Sequence, residues 1–344
     1  MLQIVNLTPF SASLSVFSDI DGVECAYAVV KATFALSPRG ELVVAEAQMP
    51  LVAVDAYWGE PDKTSLRAAS EFSLPKLSTD VLLVGTAFAG RQNIRVSEVS
   101  LRVGPLSKTV RVFGDRQWDK TSLGWEFSPP EFWERMPLRW ELAFGGRATK
   151  QEEGAAPEFE PYNPVGRGFI GNKENDFEGR LLPNLEDPTC LIRKPSDRPS
   201  PAGFAPISPA WLPRRHYAGT YDDAWQKNRA PHLPRDFDVK FFQTAPQGLI
   251  AAGFLQGGES VEVKGCAVEA PLRFMLPVCS VGMEFDFDGK KIPNVPNLEM
   301  VLIEPDEMRV QLLWRAGIKV DKHLLKLREV TVTCSEFSLK QRES

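Results

Sequence analysis

Apolar side chains recur at every second position through the first third of the chain. In ECAYAVVKATFAL (24–36), Ala26, Ala28, Val30, Ala32 and Phe34 share one parity, and DVLLVGTAF (80–88), IRVSEVSLRV (94–103) and KTVRVF (108–113) are β-rich runs bounded by turn residues. Such alternation sends one set of side chains to a core face and the other outward, which predicts antiparallel strands. MPLRWELAFGG (136–146) extends the pattern, with Leu138, Trp140, Leu142 and Phe144 on one side, Arg139 and Glu141 on the other, and Gly145-Gly146 as its stop.

The texture then changes. Between Pro157 and Pro246 fall 14 of the 28 prolines. Proline removes a ladder donor and disfavours helix at the residue before it, so this stretch is predicted to be irregular. It is still ordered by expectation, because Phe159, Tyr162, Phe177, Phe204, Trp211, Tyr217, Tyr221, Trp225, Phe237, Phe241 and other rings are spread through it, and disordered linkers are poor in aromatics. One short helix is expected in YDDAWQKNRA (221–230), capped by Thr220 or Asp222.

Strand patterns return in LIAAGFLQGGESVEVKGC (249–266), with a Gly257-Gly258 turn, and in PLRFMLP, VGMEFDFDGKKI, LEMVLIEPDEMRVQLLWRAG and LREVTVTCSEFSL, the last with an irregularity near Glu336. Hairpin turns are predicted at Asp288-Gly289 and Pro305-Asp306. The expected fold is mainly β: two antiparallel, sandwich- or barrel-like segments, 1–146 and 247–344, bracketing a proline-rich, aromatic-rich irregular excursion, 147–246, with little helix.

Composition narrows the function. A chain of 344 residues suits two domains or one large β domain, and 43% hydrophobic with 25% charged residues is ordinary for a soluble globular protein. A net charge of -5 gives no general attraction to nucleic acid. MLQIVNLTPFSASLSVFSDIDG does not read as a signal peptide, no apolar run approaches the roughly 18 residues of a membrane span, and the expected location is the cytoplasm. Cys25, Cys190, Cys266, Cys279 and Cys334 are dispersed and the histidines are only His216, His232 and His323, so neither a disulfide framework nor a metal site is expected, and no cofactor is implied.

VRVFGDRQWD (110–119) raises the sharpest question, since an acid, an arginine and a tryptophan follow a strand end. An anion or carbohydrate site is one reading. The preferred one is a structural clasp of Asp115, Arg116, Trp118, Arg139 and Glu141, with Arg116 pairing Glu141 and stacking on an indole. Adjacent acids (Glu152-Glu153, Asp222-Asp223, Asp236 with Asp238, Asp286 with Asp288) read as solvated groups rather than glycosidase pairs. No phosphate loop or GxSxG elbow is present, so the chain is not expected to be an enzyme. WLPRRHYAGTYDDAWQKNRAPHLPRDFD (211–238) is the densest polar-aromatic segment, and Trp211, Arg214, Arg215, Tyr217, Tyr221 and Trp225 are its candidate partner contacts.

FGDRQW, MPLRWELAFGG, NPVGRGF, LPNLE, PAGFAPISPAWLPRRHYAGTYDDAW, RAPHLPRDFD and FFQTAP, in this order, resemble the bacterial family catalogued as domain of unknown function 2169, found in type VI secretion gene clusters. The resemblance runs to about Pro277 and departs from the family at Trp140, where tyrosine is usual, and at Leu142, where arginine is expected. It implies a non-catalytic adaptor or chaperone whose protein partners are a toxic effector and a PAAR-like tip or spike protein, and it supplies no catalytic residues. The alternatives are a carbohydrate-binding or carbohydrate-active protein and a structural component of the secretion apparatus.

Overall fold

Both faces of strand Glu24–Leu36 are buried, with every residue from Cys25 to Phe34 shielded. From Cys25 to Leu36 its side chains are apolar or aromatic except Lys31 and Thr33, which suits a central strand packed above and below. The computed structural model describes residues 2–90, 93–149, 156–268 and 270–338. There the strand pairs on one side with Ser11–Ser18 and on the other with Arg309–Lys319, so that Ala28 faces Ala316 and Phe34 faces Val310. Asn297–Glu304 and then Asp80–Leu83 complete the row, and Leu42–Val44 adds to one end of the central strand.

A second sheet runs Leu185–Glu186, Leu106–Phe113, Val96–Val103, Ser260–Lys264, Leu272–Met275, and a third runs Gln3–Asn6, Leu327–Ser338, Val278–Phe287, Lys290–Asn294. Strands from both ends of the sequence thus pair within all three sheets. The sheets share one apolar core, in which Val30, Phe34 and Val301 meet Leu101, Val110 and Val263 of the second sheet and Phe285 and Val330 of the third. The protein is mainly β, as expected. The predicted irregularity near Glu336 is present: Cys279 faces Phe337 while Val281 faces Cys334, which leaves Ser335 and Glu336 opposite Ser280 alone.

Two expected strands are shorter than their alternation suggested. In 136–146 the strand is Arg135–Pro137, followed by a 3-10 turn at Trp140–Leu142 and a two-residue pairing at Phe144–Gly145. Leu142 N donates to Arg139 O and Ala143 N to Trp140 O, both at 3.1 Å, so the backbone satisfies itself locally after Pro137, which cannot donate to a ladder. In 249–266 only Ser260–Lys264 is strand. The upstream part is held by single contacts such as the bridge between Leu255 and Leu298.

Among its described residues the excursion is irregular but tied down by hydrogen bonds. Asn163 donates to Trp140 O at 2.7 Å and Phe144 O at 2.9 Å. Gly145, at φ 151°, lies so close that a Cβ would sit 2.1 Å from Asn163 O, so only glycine fits. At the far end, Asp80 is fully buried and accepts from Thr244 N at 2.6 Å and Gln243 Nε2 at 2.9 Å, which returns the chain to the large sheet. The one α-helix among the described residues, α1 (Asp223–Asn228), lies between 3-10 turns at Arg214–Ala218 and Val239–Phe242, and Asp222 caps it by accepting from Trp225 N at 2.8 Å.

Candidate functional site

Arg116 does not reach Glu141. Its guanidinium, buried to 4% exposure, pairs with Glu186, donates to Pro183 O at 3.0 Å and lies 3.8 Å over the Phe113 ring. Glu186 also accepts from Ile192 N at 2.8 Å. Burial lifts the Glu186 carboxyl above its usual range, and Arg116 offsets only part of that. The 3-10 turn at 140–142 directs Glu141 elsewhere: it accepts from Ser65 N and Ser65 Oγ, each at 2.7 Å. Arg139 stacks 3.6 Å over Trp58. The expected five-residue clasp is therefore two separate assemblies, while Trp118 anchors a small core with Phe144, Phe177 and Leu182.

The segments that carry the family resemblance bond to one another. Asn184 of LPNLE donates to Asp115 of FGDRQW at 2.8 Å and accepts from Arg167 of NPVGRGF at 3.0 Å. The Arg116–Glu186 pair joins the first two of these again. Their polar residues hold these loops to one another.

Trp211 and Arg214, expected to face a partner, are interior. Each is 5% exposed, and Arg214 donates to Phe241 O at 2.8 Å and Ile207 O at 2.6 Å, its guanidinium pulled down to about 10 by burial. Backbone carbonyls of an irregular segment need such a donor. The other four candidates lie outside. Arg215 is exposed, Tyr217 and Trp225 are half-buried, and Tyr221 is 53% exposed with its ring 4.7 Å from that of Trp225. Trp225 Nε1 donates to His232 O at 2.9 Å, and Arg229 fastens the lobe by donating to Leu233 O and Ile20 O. Burial, with Asp236 nearby, raises the Tyr221 hydroxyl above its ordinary value.

The adjacent acids do local work. Asp222 caps α1, Asp236 accepts from Thr220, Asp238 accepts from Lys240 N, Asp286 accepts from Gly289 N and Asp288 pairs with Arg328. Glu152-Glu153 lies outside the described residues.

A cleft that the sequence reading passed over runs across the large sheet beneath residues 49–73. It encloses about 320 Å³, and its floor is set by Lys31, Leu82, Leu302, Leu313 and Arg315. Lys31 pairs with Glu71, Arg315 with Glu299 at 2.7 Å, and Arg309 donates to Glu304 at 2.9 Å. The available signal was a lysine inside AVVKATF and an arginine inside LLWRAG, charges placed where both strand faces are otherwise apolar.

Several sheets over one core, with a proline-stiffened lobe outside, define a mainly β protein. The chain belongs to the family described as an uncharacterized protein conserved in bacteria, domain of unknown function 2169, whose profile matches residues 21–315. No curated protein and no solved structure matches it. Among the described residues no helix is long and apolar enough to cross a membrane.

Proposed function

We propose that the protein is a cytoplasmic, non-catalytic adaptor-chaperone that binds a type VI secretion effector and helps load it onto the spike or tip complex. One observation carries the reading: the exposed Tyr221 ring packs at 4.7 Å against Trp225 on a helix whose start is capped and whose indole is hydrogen-bonded. Tyrosine, tryptophan and arginine dominate interface hot spots, and rings fixed before binding lose little entropy on contact. Arg215 and Tyr217 continue the same lobe.

The test is co-expression with type VI toxin, spike and tip proteins, followed by affinity purification. Wild type is expected to capture the toxin, and Tyr221→Ala and Trp225→Ala to weaken capture roughly thirtyfold, the equivalent of about 2 kcal/mol. Unchanged melting of Tyr221→Ala would assign the loss to contact rather than folding. Full capture by both folded variants overturns this face as the binding surface. Failure of wild type to capture any of these partners overturns the adaptor reading.

A further inference from the structure

Three donors without acceptors meet at Trp58. Arg139 lies 3.6 Å and Arg67 5.1 Å from its ring centroid, and its Nε1 is buried with no hydrogen-bond partner. Among the described residues neither guanidinium has an ion pair or hydrogen bond from its side chain. All three residues line a recess of about 110 Å³. The acids on its rim have other partners: Glu304 is held by Arg309 and Gln311, Asp306 by Thr86 N and Oγ1, and Glu307 lies 4.0 Å from Arg309. Two arginines held over one indole without a counter-ion make a receptive place for an anion, and their planar forks match a carboxylate.

This recess shares Arg67, Val84 and Glu304 with the 320 Å³ cleft under residues 49–73. Beyond the mouth the wall is apolar, through Leu82, Leu302 and Leu313. Arg309 and Arg315 lie six residues apart along one strand, so the slot extends roughly 20 Å. At its inner end Arg315, 2% exposed, keeps Nη1 without a partner. A mostly apolar cavity with a few converging polar groups is the usual form of a small-ligand site.

We propose that the cleft binds a carboxylate-headed aliphatic ligand, its head against Arg67, Arg139 and the Trp58 indole N–H and its tail along Leu82, Leu302 and Leu313. The rim carboxylates Glu304, Asp306 and Glu307 favour a monoanion over a phosphate dianion. Two sources share this chemistry: a free fatty acid, and the C-terminal residue of a polypeptide ending in an aliphatic side chain. The inference does not rest on the adaptor reading, since the cleft contains none of Arg215, Tyr217, Tyr221 and Trp225.

The test is calorimetric titration of the purified full chain with octanoate, octanol, N-acetyl-leucine and N-acetyl-leucinamide. At least one carboxylate is expected to bind, at least tenfold more tightly than its uncharged counterpart, and Arg67→Ala to weaken it at least tenfold. Arg67 is exposed, so its variant should melt as wild type does; Arg139→Ala serves as the second variant. Octanoate binding alone identifies the fatty-acid source, and N-acetyl-leucine binding alone identifies the polypeptide terminus. Binding of neither acid, equal binding of acid and uncharged analogue, or full affinity in both folded variants overturns the proposal.

Discussion

Lys31 donates to both carboxylate oxygens of Glu71, at 2.9 and 2.7 Å, where strand Glu24–Leu36 meets the segment that roofs the cleft. Glu71 also accepts from Val52 N at 2.7 Å, so one buried carboxylate ties roof to floor.

Breaking this pair by Lys31→Met strands Glu71 and is expected to cost about 3–5 kcal/mol in urea unfolding. Burial already raises the Glu71 carboxyl above its ordinary value, despite Lys31. A raised folded value means stability is greatest below the unfolded pKa and is lost as pH rises through the folded one. The variant's deficit should therefore be largest near neutral pH and shrink as the pH falls through the raised Glu71 value toward the ordinary carboxylate range. A deficit independent of pH would place the effect in packing instead.

Arg116→Ala should destabilise by a similar margin, about 3–5 kcal/mol, because it leaves the buried Glu186 carboxyl without its counter-ion and bonded only to Ile192 N. Adding Glu186→Gln is expected to recover part of the loss. Toxin capture by the folded fraction should be unchanged, and abolished capture with normal melting would make Arg116 part of a binding surface.

Asp222→Ala removes the cap from a six-residue helix that is too short to persist alone. The expected cost is about 0.5–2 kcal/mol, confined to the lobe. Hydrogen exchange should quicken over 223–229, while strand Glu24–Leu36 stays protected.

Of the five cysteines, Cys190 is exposed, whereas burial raises the thiols of Cys25, Cys266 and Cys279, that of Cys279 up to about 12 with Cys334 adding to the shift. Raised thiols favour the folded state below their ordinary value of 9.0 and lose that contribution as pH climbs through the folded value. Iodoacetamide at pH 8 should therefore modify Cys190 while sparing Cys25, Cys266 and Cys279, and modify all five in denaturant; mass spectrometry reads both.

Local features were legible in the sequence because their causes are local. Asp288-Gly289 turns at φ 52° and 90°, and Asp222 caps the helix that follows it. Alternation misled at Leu138–Phe144, where burial alternates only as far as Glu141, Leu142 is half-buried, Ala143 and Phe144 are both inside, and the backbone has left the ladder after Pro137. The partner of Arg116 is 70 residues away, and Trp58 gathers Arg67 and Arg139, which several strands separate in sequence. Composition and spacing carry no record of such meetings, whereas the fold sets them by register and burial. Trp211 and Arg214 were misplaced for the related reason that a hot-spot residue type is equally suited to anchoring an irregular loop.

The pairing of Ala28 with Ala316 has a consequence for birth rather than for the finished molecule. The ribosome must add some 290 further residues before the innermost strand can meet its second neighbour, which at roughly 5–20 residues per second takes on the order of tens of seconds. Throughout that interval the strand has Ser11–Ser18 on one edge and an open ladder on the other, at the front of the nascent chain, so a protein proposed to shelter another is itself a client for shelter while it is being made.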